Sequence, residues 1–273
     1  MALSALPLRS VEKKPGTPTR GFPFDVPVVR SLTRLTFGGP VTFLAGENGS
    51  GKSTLLEALA IAAGSTTVGS ESVLTDDTLA PVRPLAEHLK LVWSKRTSRG
   101  FFMRAEDFFG YARRMAQLNA EMRDELGRVD RESGGRSAAA RAYERLPYER
   151  ELGEMQWSYG DGLDANSHGE GFLKLFRRRF TGPGLYLLDE PEATLSPMRQ
   201  LALLALLHEM VQQGGQFVIA THSPILMAYP DAAILSFDGS AIEAVDYESL
   251  EHVQVTRSFL ADPQAYLRHL FNG

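Results

Sequence analysis

Cysteine is absent from the 273 residues, which excludes disulfides and every metal site built on thiolates. That absence fits a reducing compartment, and the cytoplasm is the expected location. Long apolar runs are missing too. The most apolar stretch, "LALLALL" at 201–207, stops at His208 and Glu209, well short of the roughly 20 residues needed to cross a bilayer. The N-terminal "MALSALPLRSVEKKPGTPTRGFPFDVP" has a short apolar part, broken by Pro7 and followed by basic residues, so it does not form a secretory signal. The Pro, Lys, Gly and Thr content of residues 10–20 leads us to expect a flexible lead-in over residues 1–20. Excess positive charge is lacking as well: 29 Lys and Arg against 33 Asp and Glu leave a net charge of −4, with no global pull toward nucleic acid or anionic lipid. There is no internal repeat and no heptad run long enough for a coiled coil.

What remains is ordinary globular material, 43% apolar and 23% charged. The length suits one large α/β domain, here 1–273, with an inserted lobe. "VTFLA" (41–45), "LYLLD" (185–189) and "QFVIAT" (216–221) read as strands buried on both faces. Helical patterns alternate with them: "STLLEALAIAA" (53–63), and a helix from near Pro197 to Gly214–Gly215. Strands alternating with helices predict a mostly parallel sheet flanked by helices. Residues 105–165 change texture to Arg, Glu, Ala and Met at helical spacing and predict an inserted helical lobe. "KLVWSKRTSRGFFMR" (90–104) reads as a β-hairpin leading into that lobe, and "AILSFDGSAIEAV" (233–245) as an antiparallel hairpin around Asp238–Gly239. The chain closes on one or two helices.

The chemistry begins in "FLAGENGSGKSTLLEALA" (43–60), which contains Gly46-x4-Gly51-Lys52-Ser53 between a strand and a helix. This is a phosphate-binding loop. Gly46, Glu47, Asn48, Gly49, Ser50 and Gly51 would turn backbone N–H groups toward phosphate oxygens, and the following helix adds its positive end. Lys52 would reach the terminal phosphates, Ser53 would ligate Mg²⁺, and Thr54 would bind the α-phosphate. "LYLLDEPE" (185–192) then ends a buried strand in two carboxylates, a costly arrangement without a compensating charge. Mg²⁺ near Asp189 supplies that charge, leaving Glu190 to act on the attacking water. "NSHGEGF" (166–172) places Ser167, Gly169 and Glu170 at a helix start, either as a cap or as an anion-binding end.

In this order the motifs resemble the ABC-type ATPases within the P-loop NTPase superfamily. "GENGSGKST" is similar to their Walker A, "LYLLDEP" to their Walker B, "SHGEGF" to a variant of their signature motif, "ATLSP" (193–197) to their D-loop and "IATHSP" to the segment carrying their switch histidine, here His222. The resemblance covers most of residues 22–245, and the "SHGEG" form looks most like stand-alone ATPases. It implies ATP and Mg²⁺ as ligands and a head-to-tail homodimer, with Ser167, Gly169 and Glu170 completing the partner's site and His222 sensing the γ-phosphate or holding the attacking water. The chain departs from the pattern at Asn166, His168 and Ser196. No Q-loop glutamine is evident; Arg104 or Glu106 in "FFMRAEDFF" (101–109) occupies its place. Either they contact the metal or γ-phosphate, or they form an ion pair while the phenylalanines pack the lobe on the sheet. Phe22 or Phe24 would stack on adenine, or anchor the core.

The expected activity is ATP hydrolysis to ADP and phosphate, resetting a nucleotide-closed dimer. Two alternatives stand beside it: the nucleotide-binding subunit of a transporter, and a nucleic-acid maintenance or defence ATPase working with a partner protein. Lys95-Arg96-x2-Arg99 and Arg177-Arg178-Arg179 read equally as nucleic-acid contacts or as a charged turn and a solvated helix end.

Overall fold

The computed structural model describes residues 6–67, 73, 76–132, 137–159 and 168–272. In chain order they form β1 (Leu8–Lys13), α1 (Pro27–Ser31), β2 (Arg34–Thr36), β3 (Val41–Ala45), α2 (Lys52–Ala63), α3 (Arg83–Glu87), β4 (Leu89–Trp93) and β5 (Gly100–Arg104). The helices α4 (Ala105–Glu132), α5 (Ala138–Tyr159) and α6 (His168–Arg179) follow, then β6 (Gly184–Asp189), α7 (Pro197–Gln212) and β7 (Gly215–Ala220). The chain ends with α8 (Pro224–Met227), β8 (Ala233–Ser236), β9 (Glu243–Ala244), α9 (Glu251–Ala261) and α10 (Pro263–Asn272). Among the described residues no helix is long and apolar enough to cross a membrane.

The main sheet has six strands in the order β5-β6-β7-β3-β8-β9. All its pairings are parallel except β8 with β9, the antiparallel hairpin around Asp238–Gly239. Every residue of β3, β6 and β7 is buried, because alternate side chains feed two different cores. Leu44, Leu185, Leu187 and Val218 pack with α2 and the smaller sheet on one face. Phe43, Tyr186, Leu188, Phe217 and Ile219 pack on the other, against Phe172 and Phe176 of α6 and Leu203, Leu207 and Met210 of α7. Aromatic rings tie that second core together: Phe101 meets Phe176 and Tyr186 edge-on at 5.4 and 5.2 Å, and Phe108 meets Phe172 at 5.3 Å. Each fully buried ring is worth about 1.5–3 kcal/mol, and Phe108 uses this contact to anchor the root of α4.

A second sheet, antiparallel and three-stranded in the order β2-β1-β4, lies against the α2 side. Two expectations change here. Residues 8–13 are a strand, paired on both sides by β2 and β4, where a flexible lead-in was expected over residues 1–20. The strand is sparsely apolar, with Leu8 and Val11 inward, and its neighbours in sequence are loop-forming, so its partners rather than its own pattern hold it. The segment 90–104 is also not a hairpin: β4 joins the small sheet and β5 becomes an edge of the large one. Phe101 and Met103 face one core while Phe102 faces the other, and a hairpin would leave one of those faces wet. Gly100 permits the close approach, since a Cβ there would lie 1.7 Å from the Leu185 carbonyl oxygen.

The two sheets are joined through one buried amide. Gln216, 1% exposed, accepts a hydrogen bond from the Leu8 N–H at 2.8 Å and donates one to the Leu8 carbonyl at 2.8 Å. Replacing Gln216 with Leu strands both main-chain groups in the interior. We expect a loss of about 2–4 kcal/mol, seen as a lower urea midpoint with an unchanged slope; an unaltered midpoint would mean that water replaces the amide.

Candidate nucleotide site

The topology determines what can meet. Parallel pairing aligns Leu44 with Ala220 and Ala220 with Asp189, so β3, β6 and β7 all end at one edge of the sheet. Gly46–Ser53 leaves that edge after β3, Glu190 after β6, and His222 after β7. This is where a parallel α/β sheet binds ligands.

The loop after β3 is shaped by glycine. Gly51 precedes α2 with φ of 101°, and a Cβ there would lie 2.6 Å from Val26 Cγ1 and 2.8 Å from Val28 Cγ2. Only a residue without a side chain gives both that backbone turn and that packing against α1. The turn brings Lys52 inward, 4% exposed, where its ammonium donates to the carbonyls of Gly46 at 2.6 Å and Glu47 at 2.9 Å. Burial lowers the Lys52 pKa, opposed by the charges of Glu190, Asp189, Asp238 and Glu47.

Ser53, next along α2, donates its hydroxyl to Asp189 Oδ1 at 3.1 Å. Asp189 is 7% exposed, and burial pushes its pKa up to about 7; the Ser53 hydrogen bond and Lys52 work against this, while Glu57 and Glu190 reinforce it. A hydroxyl and a buried carboxylate side by side form the hard-oxygen donor pair that Mg²⁺ takes together with phosphate oxygens. Among the described residues no cluster of three or more His, Cys, Asp or Glu could hold a metal alone. The pair therefore fits an ion that depends on its nucleotide.

Glu190 has φ of 48°, an uncommon backbone for a side chain of its size. Its N–H is tied to the Ala220 carbonyl at 2.9 Å, which turns the carboxylate away from the sheet. Oε1 then lies 3.6 Å from His222 Nε2. That nitrogen is buried and makes no hydrogen bond among the described residues. The His222 main chain is held separately, its N–H donating to Glu192 Oε1 at 2.6 Å. Gln200 ties the neighbouring segments together, accepting from the Ser223 hydroxyl at 2.5 Å and donating to the Leu195 carbonyl at 3.1 Å. A cleft of about 360 Å³ opens in front, lined by Gly46–Ser50, His222, Asp238 and His252.

Comparison with known proteins gives this arrangement a family. A family described as "AAA domain, putative AbiEii toxin, Type IV TA system" matches residues 69–228, and one described as "AAA domain" matches residues 23–80. The chain is 30% identical over 248 residues to the vitamin B12 import ATP-binding protein BtuD of Vibrio vulnificus, covering 84% of this chain and 91% of that one. The chain belongs to the ABC-type P-loop ATPases. It is also 23% identical to the macrolide export ATP-binding/permease protein MacB of Escherichia coli K12, over 85% of this chain but only 33% of that protein. A superposable solved structure is the Pyrococcus furiosus Smc head domain bound to the C-terminal domain of ScpA, with a TM-score of 0.46 and 13% identity over 93% of this chain and 99% of that one.

The ABC-type domain thus brings Lys52, Ser53, Asp189, Glu190 and His222 to one place. The others sort differently. Thr54 lies in the first turn of α2. Gly169 and Glu170 lie in the first turn of α6, and Ser167 falls outside the described residues. Phe24 is buried and meets the His88 ring edge-on at 5.4 Å, so it anchors the core and is not a stacking surface for adenine. Phe22 is 57% exposed and keeps an open face.

Of the two readings of Arg104, the ion pair is the one the structure shows. Arg104 is buried and bound to carboxylates: Asp107 and Asp76 at 2.8 Å, Glu106 at 3.3 Å and Glu57 at 3.5 Å, with Thr78 Oγ1 at 2.9 Å. A guanidinium with those partners has no capacity left for phosphate, and repels a metal. Glu106 is largely exposed and serves as one of the ion-pair partners. Sequence reading missed Glu57, Asp76, Asp107, Gln200, Glu192 and Asp238. Glu57 was within reach, because it stands one helical turn beyond Ser53 on the same face of α2; its pKa is pushed up to about 7 by burial, against the pull of Arg104. Asp238, whose Oδ1 accepts from the Glu47 N–H at 2.7 Å, lies 191 residues from it and carried no local signal.

Two outcomes follow from these charges. The Asp189 carboxyl rises from 3.8 to about 7 on folding. The native chain therefore holds the extra proton between those values, and stability falls as pH rises through that window. Asp189→Asn removes this penalty, so nucleotide-free Asp189→Asn should melt above wild type at pH 8 and close to it below pH 4. An equal offset at both would show that the carboxylate is not buried as described. For Arg104→Met, the carboxylates of Asp76, Asp107 and Glu57 lose their common partner, and we expect about 3–5 kcal/mol of destabilisation in urea titration; a neutral result would remove the structural role assigned to Arg104.

Proposed function

We propose that this domain hydrolyses ATP to ADP and phosphate with Mg²⁺, and that two copies close head to tail around two nucleotides. The observation carrying this reading is the convergence of a phosphate loop, a buried Ser53–Asp189 oxygen pair and an adjacent Glu190–His222 pair at one sheet edge. In this reading Gly46–Ser53 and Thr54 bind the phosphates, and Lys52 exchanges its two carbonyl partners for phosphate oxygens. Ser53 and Asp189 hold Mg²⁺, whose charge offsets that of the phosphates and of Asp189. Glu190 accepts the proton of the attacking water at its carboxylate. His222, with its Nε2 beside that carboxylate, positions the water and the γ-phosphate.

One protomer leaves the phosphates open on the side away from its own sheet. Ser167, Gly169, Glu170 and the start of α6 complete the site of a second copy, using a helix N-terminus against phosphate charge. ATP thereby joins the two chains, and loss of the γ-phosphate releases them. Closing such an equilibrium from mostly open takes roughly 5.5 kcal/mol of differential binding, which several charge-assisted hydrogen bonds at each of two sites can supply.

The BtuD likeness favours a second reading, as the ATP-binding subunit of a transporter. The "SHGEG" form and the use of Arg104 in an ion network where a glutamine would stand weigh against it. Recovery of the protein with membranes rather than in the wash would reverse that preference.

Glu190→Gln keeps the shape and hydrogen bonding of the site but removes the base. It should bind ATP normally, lower turnover by about two to four orders of magnitude, and elute as a dimer with Mg-ATP in size-exclusion chromatography. A monomer at high protein concentration that still binds ATP sinks the shared site, and full turnover sinks the role of Glu190.

A further inference from the structure

We propose that the end of the domain opposite the nucleotide loop binds the phosphate backbone of nucleic acid, through Arg99, Arg178 and Arg179. The starting point is a convergence that the sequence does not show. Arg99 precedes β5, and Arg178 and Arg179 end α6, some eighty positions later. The chain folds so that β5 and β6 begin side by side, Gly100 opposite Leu185, with the end of α6 just before β6. The three arginines then line one cleft of about 520 Å³ together with the hydroxyl side chains Thr66, Ser98 and Thr181.

Several features make this more than a solvated helix end. No acidic residue is among the described residues lining the cleft, although the chain as a whole carries a net charge of −4. Arg177, beside the cluster, is already paired with Glu209 at 2.7 Å, whereas Arg99 and Arg179 make no ion pair among the described residues. All three lining arginines are exposed. The base on which they stand is firm: the Leu185 N–H donates to the Arg99 carbonyl at 3.1 Å, fixing that residue to the start of β6, and the Thr181 N–H donates to the Tyr186 hydroxyl at 3.2 Å. Arg99 and Arg179, like charges on a rigid base, repel one another unless an anion sits between them.

The chemistry selects the anion. Guanidinium groups present a planar fork that matches phosphate oxygens two at a time. Hydroxyl groups are the other usual donors to nucleic-acid backbones. A cleft of this size, open at the surface and flanked by Lys95 and Arg96 on the loop before Arg99, suits a run of phosphates better than one. Contacts confined to phosphates carry no sequence information, so binding is sequence-independent and salt-sensitive.

The site lies away from the P-loop edge, so it can be tested without nucleotide and independently of the ATPase reading. Fluorescence anisotropy with a labelled random-sequence DNA duplex, and separately a labelled single strand, should show a Kd between roughly 10⁻⁴ and 10⁻⁶ M at physiological salt and tighter binding at low salt. Arg99→Glu/Arg178→Glu/Arg179→Glu should weaken binding by about tenfold or more and make the dependence of log K on log salt shallower by roughly two to three. The milder Arg99→Gln/Arg179→Gln should fall between the two, with a melting temperature that shows it folded. Arg257→Gln, on α9, should bind like wild type. Absence of binding by wild type to either probe at low salt overturns the proposal. So does a triple variant that binds like wild type, or polyglutamate that displaces the probe as well as unlabelled duplex does at equal charge, which would assign the cleft to an acidic protein segment.

Discussion

The shape of the nucleotide edge follows from one electrostatic problem: a buried carboxylate that, among the described residues, has no cation bonded to it. Asp189 ends a strand that is inaccessible on both faces, and its nearest polar contact is the neutral hydroxyl of Ser53. Lys52 is close enough to feel its charge but spends its hydrogen bonds on its own loop. Among the described residues Arg104 is the other buried cation, and it is bound by Asp76, Asp107 and Glu57. Among the described residues the charge around this point is more negative than positive, and the proposed Mg²⁺ would supply the balance. A buried ion tolerates this only at a cost in stability, the kind of cost that binding sites carry and core positions do not.

The strands, the phosphate loop and the acids that end β6 were legible because each is a local pattern. A run buried on both faces has no alternation, a glycine-rich turn has few alternatives, and a strand ending in carboxylates stands out against its own hydrophobicity. What could not be read was whatever depends on pairing across the chain. β1 has only Leu8 and Val11 to mark it, and takes its order from β2, β4 and the Gln216 amide. The stretch 90–104 looked like a hairpin because two strand-like runs flank a polar turn; the runs go to different sheets because Phe101, Phe102 and Met103 need cover on both sides. Asp238 and Asp76 reach their partners across 191 and 28 positions, and no periodicity reports such contacts.

Arg104 shows how a motif position can keep its place and change its work. It ends β5 beside Asp189 in register, so it stands where a residue could address the Ser53–Asp189 pair directly. Instead it gathers carboxylates from α2, from the segment before α3 and from the first turn of α4. Glu57 is the link, since its charge raises Asp189 while Arg104 holds it. The root of the helical lobe is therefore linked to the Ser53–Asp189 pair through a chain of ions, and to the sheet through Phe108 and Phe172. A movement of the lobe that loosened Arg104 would alter the charge felt at Asp189 with no group crossing the site.

The same economy of connection joins the two ends of the domain. β6 starts beside Arg99 and finishes at Asp189, and α6 starts at the signature segment and finishes at Arg178 and Arg179. Six strand residues span about 20 Å and twelve helical ones about 18 Å, and both elements are packed into the same aromatic core through Tyr186, Phe172 and Phe176. Such elements shift as bodies rather than bend. Coupling needs an element with two arrangements, and in the proposed dimer α6 would have two, its first turn meeting phosphate in a closed pair of chains and solvent in an open one. An anion held at the far end of α6 would then favour one arrangement over the other, so the basic cleft would bear on the nucleotide cycle through the helix that they share.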